Sequence, residues 1–383
     1  MRVVIAPDSF KESLSALDAA RAIEAGMREV FPDWTYATMP VADGGEGTVD
    51  ALVAATAGRL VTQTVSDPLG RPVTAFFGVT GDGKTAIIEI AAAAGLMLLT
   101  PDERDPLRTS SFGVGQLIRA ALDTGARHLI IGLGGSATND GGAGMAQALG
   151  ARLLDRHGQA LAPGGGALTS LARLDLSAMD PRIATCIIDV ACDVDNPLVG
   201  PQGASAIFGP QKGASPQMVG LLDEGLRHYA EMIEQTLGIA MADRAGAGAA
   251  GGLGGALMAL CGARLRSGIV VVTEVVGLDA AIAAADLVIT GEGRIDGQTL
   301  HGKTPIGVAR IARRHGKPVI ALAGMIGEGA EQLAPHAIDA MFSVVQGPCS
   351  LDQALADAAG NLRATARNMA ATLRVGLGLA SLD

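Results

Sequence analysis

The sequence predicts an α/β protein of two domains, the second inserted into the first. Three observations carry that reading. Short apolar runs at residues 3–6, 128–131 and 287–289 each lead into a glycine-bearing polar loop and then a helical pattern, the repeating unit of an open α/β sheet. The pattern changes after Gly58, where residues 60–66, 71–79 and 86–90 read as β segments with turn signals at Asp67-Pro68 and Gly81-Asp82-Gly83. The α/β alternation then resumes at Asp286. The expected division is a discontinuous Rossmann-like or flavodoxin-like domain over residues 1–75 and 285–383, with an inserted α/β domain over 76–284. A chain of 383 residues fits two domains of roughly 100–200 residues each.

In chain order, the first strand runs into Pro7-Asp8-Ser9-Phe10-Lys11-Glu12. Ser15-Ala-Leu-Asp18 has the form of a capping box, and Leu17, Ile23, Met27 and Val30 line one helical face. A strand near residues 36–41 delivers Asp43-Gly-Gly-Glu-Gly-Thr48 ahead of a helix at about 49–57. If the two strands are parallel, both acidic loops lie on one edge of the sheet. In the middle, a helix over 111–124 leads to the strand at 128–131 and the loop Gly132-Leu-Gly-Gly-Ser-Ala-Thr-Asn-Asp140. The strand at 186–191 ends in Cys192-Asp193-Val-Asp195-Asn196-Pro197. Ser215-Pro216 starts the most regular helix, with a stripe at Val219, Leu222, Leu226, Tyr229, Ile233 and Leu237. The glycines from Gly246 to Gly255 are too dense for a stable helix interior and suit close approach to a ligand or to another helix. Residues 269–272 read as a strand, followed by a short Ala-rich helix.

The stretch from Asp286 to Pro305 concentrates the chemistry. A buried strand over 287–289 opens a glycine loop carrying Glu292, Arg294, Asp296, Gln298, His301 and Lys303, and Thr304-Pro305 starts a helix with Thr304 as N-cap. Loop amides and a positive helix end make an anion site. Gly297-Gln-Thr-Leu-His-Gly302-Lys303-Thr304 also matches the Walker A pattern, but Gly291 to Asp296 separate it from its strand. The same pattern recurs at Gly78-Val-Thr-Gly-Asp-Gly83-Lys84-Thr85, between two β runs, where it reads as a hairpin tip. A phosphate or metal site of another kind is therefore favoured over a P-loop, with a solvated glycine-bent connection as the remaining reading.

Composition narrows the function. Hydrophobic content is 49% with aromatics at 3%, so the core must be aliphatic. A net charge of -10 argues against nucleic acid and anionic membrane as partners, since both need a basic patch. Cys186, Cys192, Cys261 and Cys349 show no metal spacing and fit the reduced thiols of a cytoplasmic protein. The chain begins at once with a strand, so no signal peptide is expected, and the apolar stretch 87–99 is too short to span a bilayer. The acids at strand ends are Asp8, Asp43, Glu46, Asp140, Asp193, Asp195, Glu292 and Asp296. They cannot all converge ionised without a cation, and Mg2+ takes such oxygen ligands. Lys11, Lys212 and Lys303 sit in loops near strand or helix ends, whereas Lys84 and Lys317 read as turn and surface groups. Acids, sparse loop lysines and glycine amides suit phosphoryl transfer. No H-E-x-x-H or G-x-S-x-G motif occurs, and Gly132-Leu-Gly134-Gly-Ser-Ala137 is an incomplete dinucleotide fingerprint, which leaves a dehydrogenase as runner-up.

With these loops in hand, the chain resembles the bacterial glycerate kinases that form 2-phosphoglycerate. The resemblance runs from Val3-Val-Ile-Ala-Pro-Asp-Ser-Phe-Lys-Glu-Ser-Leu-Ser15 to the last helices. It rests on Val41-Ala-Asp-Gly-Gly-Glu-Gly-Thr48, Gly134-Gly-Ser-Ala-Thr138 with Asp140-Gly-Gly, and Ala191-Cys-Asp-Val-Asp-Asn-Pro197. It rests also on Phe208-Gly-Pro-Gln-Lys-Gly213 and Thr290-Gly-Glu-Gly-Arg-Ile-Asp296 with Gln298-Thr and Gly302-Lys303. Glu12 departs from it, standing where many members carry Gly, and Asn139 stands where others vary. The resemblance implies two α/β domains with the active site in the cleft, ATP with Mg2+ as donor system, and D-glycerate as acceptor. Within that frame Asp193 is expected as the base with Asp8 as its rival, and Lys11 and Lys303 as cationic catalytic groups. Ser9, Asp43, Gly44, Gly45, Glu46, Gly134, Gly135, Ser136, Asp140, Lys212, Arg294 and Gln298 are expected to bind substrate or nucleotide, and Asp296 and Glu292 to hold the metal. The alternatives are a kinase forming 3-phosphoglycerate or acting on a related hydroxy acid, a nicotinamide-dependent dehydrogenase, and a non-catalytic sugar-acid sensor. The sequence leaves the oligomeric state open, a homodimer included.

Overall fold

In the computed structural model of the chain, residues 1–301, 303–336 and 338–380 are described; Gly302 of the loop motif lies outside them. The chain opens with β1 (Arg2–Ile5), α1 (Ala16–Arg28), β2 (Thr35–Thr38) and α2 (Thr48–Ala55). It continues through β3 (Arg59–Ser66), β4 (Pro72–Val79), β5 (Thr85–Glu89), the short α3 (Ala91–Ala94), α4 (Phe112–Asp123), β6 (His128–Gly132) and α5 (Ala143–Ala148). The strands β7 (Arg152–Leu154) and β8 (Arg173–Asp175) precede β9 (Ile187–Ala191), α6 (Ala204–Phe208), α7 (Pro216–Leu237), α8 (Leu253–Cys261) and β10 (Arg264–Arg266). The last part comprises α9 (Gly268–Val275), α10 (Leu278–Ala283), β11 (Leu287–Ile295), α11 (Thr304–Arg314), β12 (Val319–Ile326), β13 (Ala340–Ser343), α12 (Leu351–Ala356) and α13 (Ala358–Ala380). Two compact units result: Met1–Asp43 with Asp50–Thr56 and Ile269–Asp383, and Gly44–Val49 with Ala57–Gly268.

The first unit is built on a five-stranded sheet in the order β13-β12-β11-β1-β2, with every pairing parallel. Val3, Val4 and Ile5 are all buried, as a strand covered on both faces requires. Ile23 and Met27 of α1 join Leu362 and Met369 of α13 over Val3, Ile5, Ile289 and Leu322 in one aliphatic core. The two helices cross closely at Gly26, where an added Cβ would lie 2.2 Å from the Arg363 carbonyl oxygen. Ser15 caps α1 by accepting the Asp18 N–H at 3.1 Å. The chain leaves β1 toward β2 and leaves β11 toward β12, so the winding reverses between β1 and β11. In an open parallel sheet, ligands bind beyond the carboxyl ends of the strands at such a point.

The second unit carries a six-stranded sheet in the order β10-β9-β6-β5-β4-β3, parallel from β10 to β5 and antiparallel at β4 and β3. Phe77, Ile88, Leu117, Ile118, Leu129, Ile131, Val190 and Leu253 belong to its core. Residues 80–85 form the β4–β5 turn, closed by Thr80 N–H to the Thr85 carbonyl at 3.0 Å, so the second Walker-like match is a hairpin tip. The stripe on α7 is buried at Leu222, Leu226, Tyr229 and Ile233 and emerges at Leu237.

Several sequence expectations are corrected. The first boundary falls before β3 rather than at residue 75, because β3 pairs with β4 along its whole length, from Arg59↔Val79 to Ser66↔Pro72. Residues 269–272 form part of helix α9, not a strand. A short apolar run cannot by itself separate the two, and here Thr273 Oγ1 donates back one turn to the Ile269 carbonyl at 2.7 Å. Both α9 and α10 consequently fall with the first unit, which moves the second boundary from 284 to 268. Gly254 and Gly255 lie inside α8 despite the glycine density, because packing holds it: a Cβ on Gly254 would sit 2.6 Å from the Gly246 carbonyl. Strand β11 continues to Ile295, where β12 still pairs with it through Ile295↔Ile326, so Glu292 and Arg294 stand on a strand rather than in a loop. The cap of α11 is Lys303, making Thr304 the first helical residue and Pro305 the second. No helix among the described residues is long and apolar enough to cross a membrane.

Candidate active site

In the first unit, the carboxyl end of β1 places Asp8 next to the start of α11. Asp8 is buried, its Oδ1 accepts the Ser9 N–H at 2.6 Å, and its Oδ2 accepts the Thr304 hydroxyl. That last bond joins residues nearly three hundred positions apart across the point where the sheet reverses. Burial, reinforced by the negative charge of Asp43, raises the Asp8 carboxyl to about 6 against the pull of the Thr304 and Ser9 hydrogen bonds. Glu292, on β11, is also buried. Desolvation lifts it to about 7, opposed by Lys303, whose Nζ lies 3.6 Å from Oε1, and by the Thr299 hydroxyl, which donates at 3.0 Å. Asp296 follows the strand. Burial alone would raise it, but the Gln298 N–H at 3.0 Å, Lys303 and Arg294 together hold it below the usual value. Arg294 reaches it at 2.8 Å and is itself largely exposed, as is Gln298. Lys11 is exposed, and the next residue, Glu12, sits at φ 65 in the left-handed region, where glycine carries less strain.

The remaining expected residues belong to the second unit. Gly44 has φ 89, and an added Cβ would lie 2.6 Å from the Ala191 Cβ, so this position needs glycine on both counts. The Gly45 carbonyl accepts the Thr48 hydroxyl at 2.7 Å, and the Val49 N–H reaches Glu89 Oε1 at 2.8 Å. Residues 44–49 are thereby seated over the carboxyl ends of β5 and β9, with Glu46 exposed. Gly134 and Gly135 are exposed in the loop after β6, and Ser136 is buried behind them. Lys212 is fully buried and donates to Ser136 Oγ at 2.8 Å and to the Thr138 carbonyl at 2.7 Å. Burial pulls its ammonium down to about 7, with Asp140 acting in the opposite sense. Asp140 is fully buried and accepts from the Ser111 N–H and hydroxyl, the Gly142 N–H and the Gly144 N–H. It ties the starts of α4 and α5 together and has its oxygens occupied by the fold itself. Asp193 and Asp195 are exposed after β9.

Two groups thus form, one per unit. Asp8, Ser9, Asp43, Glu292, Asp296 and Lys303 are drawn together in the first unit, and Ser136, Asp140 and Lys212 in the second. Sequence reading gave Thr299 and Ser111 no role in the site, and it gave Thr304 only a capping role. A lone hydroxyl carries no signal until its acceptor is known, and each of these acceptors lies on another element or turn.

The comparisons with known proteins extend over almost the whole chain. The model of the glycerate kinase family matches residues 3–374. The chain belongs to the glycerate kinase family. It is 56% identical to glycerate kinase of Bacillus subtilis (strain 168), covering 98% of each chain. It is 55% identical to glycerate 2-kinase of Escherichia coli (strain K12), covering 98% of this chain and 99% of that one. A solved structure of a candidate glycerate kinase 2 from Salmonella typhimurium LT2 superposes with a TM-score of 0.92 at 58% identity, covering 99% of each chain. Membership of the glycerate kinase family makes the protein a kinase, and the α/β fold is that of the family.

Proposed function

We propose that this chain transfers the γ-phosphoryl group of ATP to D-glycerate and forms 2-phospho-D-glycerate. The observation that carries the reading is Asp8: a buried carboxylate raised to about 6, gripped by Thr304 and Ser9 where the parallel sheet reverses, beside a helix capped by Lys303. A general base works best with a pKa near the working pH, and a helix start with a lysine suits phosphate oxygens. The names of the Bacillus and Escherichia relatives support glycerate as acceptor, and the latter supports its 2-position.

In this reading Asp8 takes the base role that the sequence had given to the exposed Asp193. Its carboxylate accepts the proton of the C2 hydroxyl as that oxygen attacks the γ-phosphorus and ADP leaves. Lys303 faces the developing charge on the transferred group, and Lys11 supplies a cation for the glycerate carboxylate. Glu292 and Asp296 would hold Mg2+. No group of three or more His, Cys, Asp or Glu side chains that could hold a metal occurs among the described residues. A pair is nonetheless what magnesium needs when phosphate oxygens and water complete its shell. The ion would neutralise charge on the β- and γ-phosphate oxygens.

Lys303→Ala is expected to lower kcat about 100-fold by removing a transition-state charge partner. The melting temperature should move little, since the side chain makes no capping bond. Near-normal turnover in that variant would remove the role. The regiochemistry is tested by phosphorus NMR of the product with enolase coupling. 2-Phosphoglycerate feeds enolase directly, whereas a product that first needs a mutase places the phosphate on C3. Glycerate binding without ADP release would instead identify a sensor, and a change in nicotinamide absorbance a dehydrogenase.

A further inference from the structure

Among the described residues, the six-stranded sheet of the second unit ends at β3, which has a neighbouring strand on one side only. The ladder phase shows which backbone groups are left at the edge. The Asp67 N–H closes the β3–β4 hairpin on the Arg71 carbonyl at 2.7 Å, so Arg59, Val61, Gln63 and Val65 turn their polar backbone groups to β4. Leu60, Thr62, Thr64 and Ser66 turn theirs outward. Ser66 agrees with this phase, since its N–H goes to the Gln116 side chain on α4 at 2.7 Å rather than to β4. Leu60, Thr62 and Thr64 are exposed, Leu60 at 49%. Sheets commonly guard such edges with proline, lysine, an inward charge or a bulge. Helix α4 covers this edge at Ser66, through Gln116 and the close approach of Gly113 to the Ser66 carbonyl, but residues 60–65, Leu-Val-Thr-Gln-Thr-Val, contain no proline or charge, and their register with β4 is unbroken.

We propose that β3 pairs antiparallel with β3 of a second copy of this chain, about a twofold axis through Gln63. A twofold interface sets residue i against j and j against i, so its strand must be complementary to itself. This strand is. Centred on Gln63, Thr62 lies opposite Thr64 and Val61 opposite Val65. Thr62 and Thr64 are both outward-facing, so they form hydrogen-bonded pairs across the axis, and threonine pairs are favourable across strands. With the axis perpendicular to the sheet, Val61 and Val65 of both copies stay on one face. That self-complementarity selects a second copy over an unrelated strand as the occupant of the edge.

Light scattering coupled to gel filtration of the full chain, over a concentration series, is expected to give twice the 38.5 kDa chain mass. The double variant Thr62→Pro with Thr64→Pro removes two outward N–H groups and leaves the bonds to β4 intact, so it is expected to elute at the single-chain mass. The double variant Thr62→Lys with Thr64→Lys is expected to do the same by setting lysines opposite one another, and it keeps every backbone donor should the prolines disturb folding. In the parent chain, hydrogen exchange at Thr62 and Thr64 is expected to slow as concentration rises. A parent chain that stays at the single-chain mass throughout the series would overturn the proposal. So would a folded lysine variant that keeps the doubled mass.

Discussion

Asp8→Asn is expected to lower kcat by roughly 10²- to 10⁴-fold, the usual contribution of a positioned general base. Asparagine keeps the shape and one acceptor for Ser9 or Thr304 but cannot take a proton. The pH dependence provides an independent readout. Burial, with Asp43 adding to it, raises the wild-type carboxyl to about 6, so kcat/KM should fall as the pH drops through that value. The residual activity of Asp8→Asn should lack this limb. Stability should move the other way. A carboxyl raised in the folded state gives stability that is fully present below its unfolded pKa of 3.8 and is lost as the pH rises through about 6. Asp8→Asn, neutral throughout, should therefore gain on the wild type in urea melts at pH 8 compared with melts at pH 4. If Asp193→Asn abolishes turnover while Asp8→Asn retains it, Asp193 is the base.

Asp140→Ala is expected to destabilise the protein by about 3 kcal/mol or more, the range for breaking a buried charged network. Its carboxylate is the acceptor for four donors, Ser111 N–H and hydroxyl, Gly142 N–H and Gly144 N–H, at 2.8–3.1 Å in a site sealed from water. Alanine strands those donors and leaves the buried Lys212 without the negative charge beside it. Asp140→Asn should rescue little, because its amide nitrogen is a donor placed among donors. Denaturant titration decides the matter, and a loss under about 1 kcal/mol would show that the donors find other partners. A drop in activity at unchanged stability would instead mean that Asp140 acts on a ligand.

By itself the sequence determined the sequence-local features. Ser15 before Ala16 and Ser215 before Pro216 fixed two helix starts, because a capping hydroxyl serves an amide two or three residues on. The turn over 80–85 was legible for the same reason: glycine and aspartate shape a few consecutive residues. The long motifs placed the chain in its family, since many residues in one order seldom coincide by chance. Only the tertiary structure decided what depends on neighbours distant in the chain. Ile269-Val-Val-Val272 could have been strand or helix, and forms α9, where Thr273 bonds back one turn to the Ile269 carbonyl. Glu292 moved from loop to strand because β12 lies alongside it. Residues 44–49 follow a strand of the first unit yet pack in the second, where the Val49 N–H bonds to Glu89 and the close approach to Ala191 requires glycine at position 44. Thr304 was readable as part of a helix start, but its grip on Asp8 spans most of the chain and exists only once β1 and β11 pair. The raised pKa of Asp8 belongs to the same class, since desolvation is a property of the surroundings and no residue type encodes it.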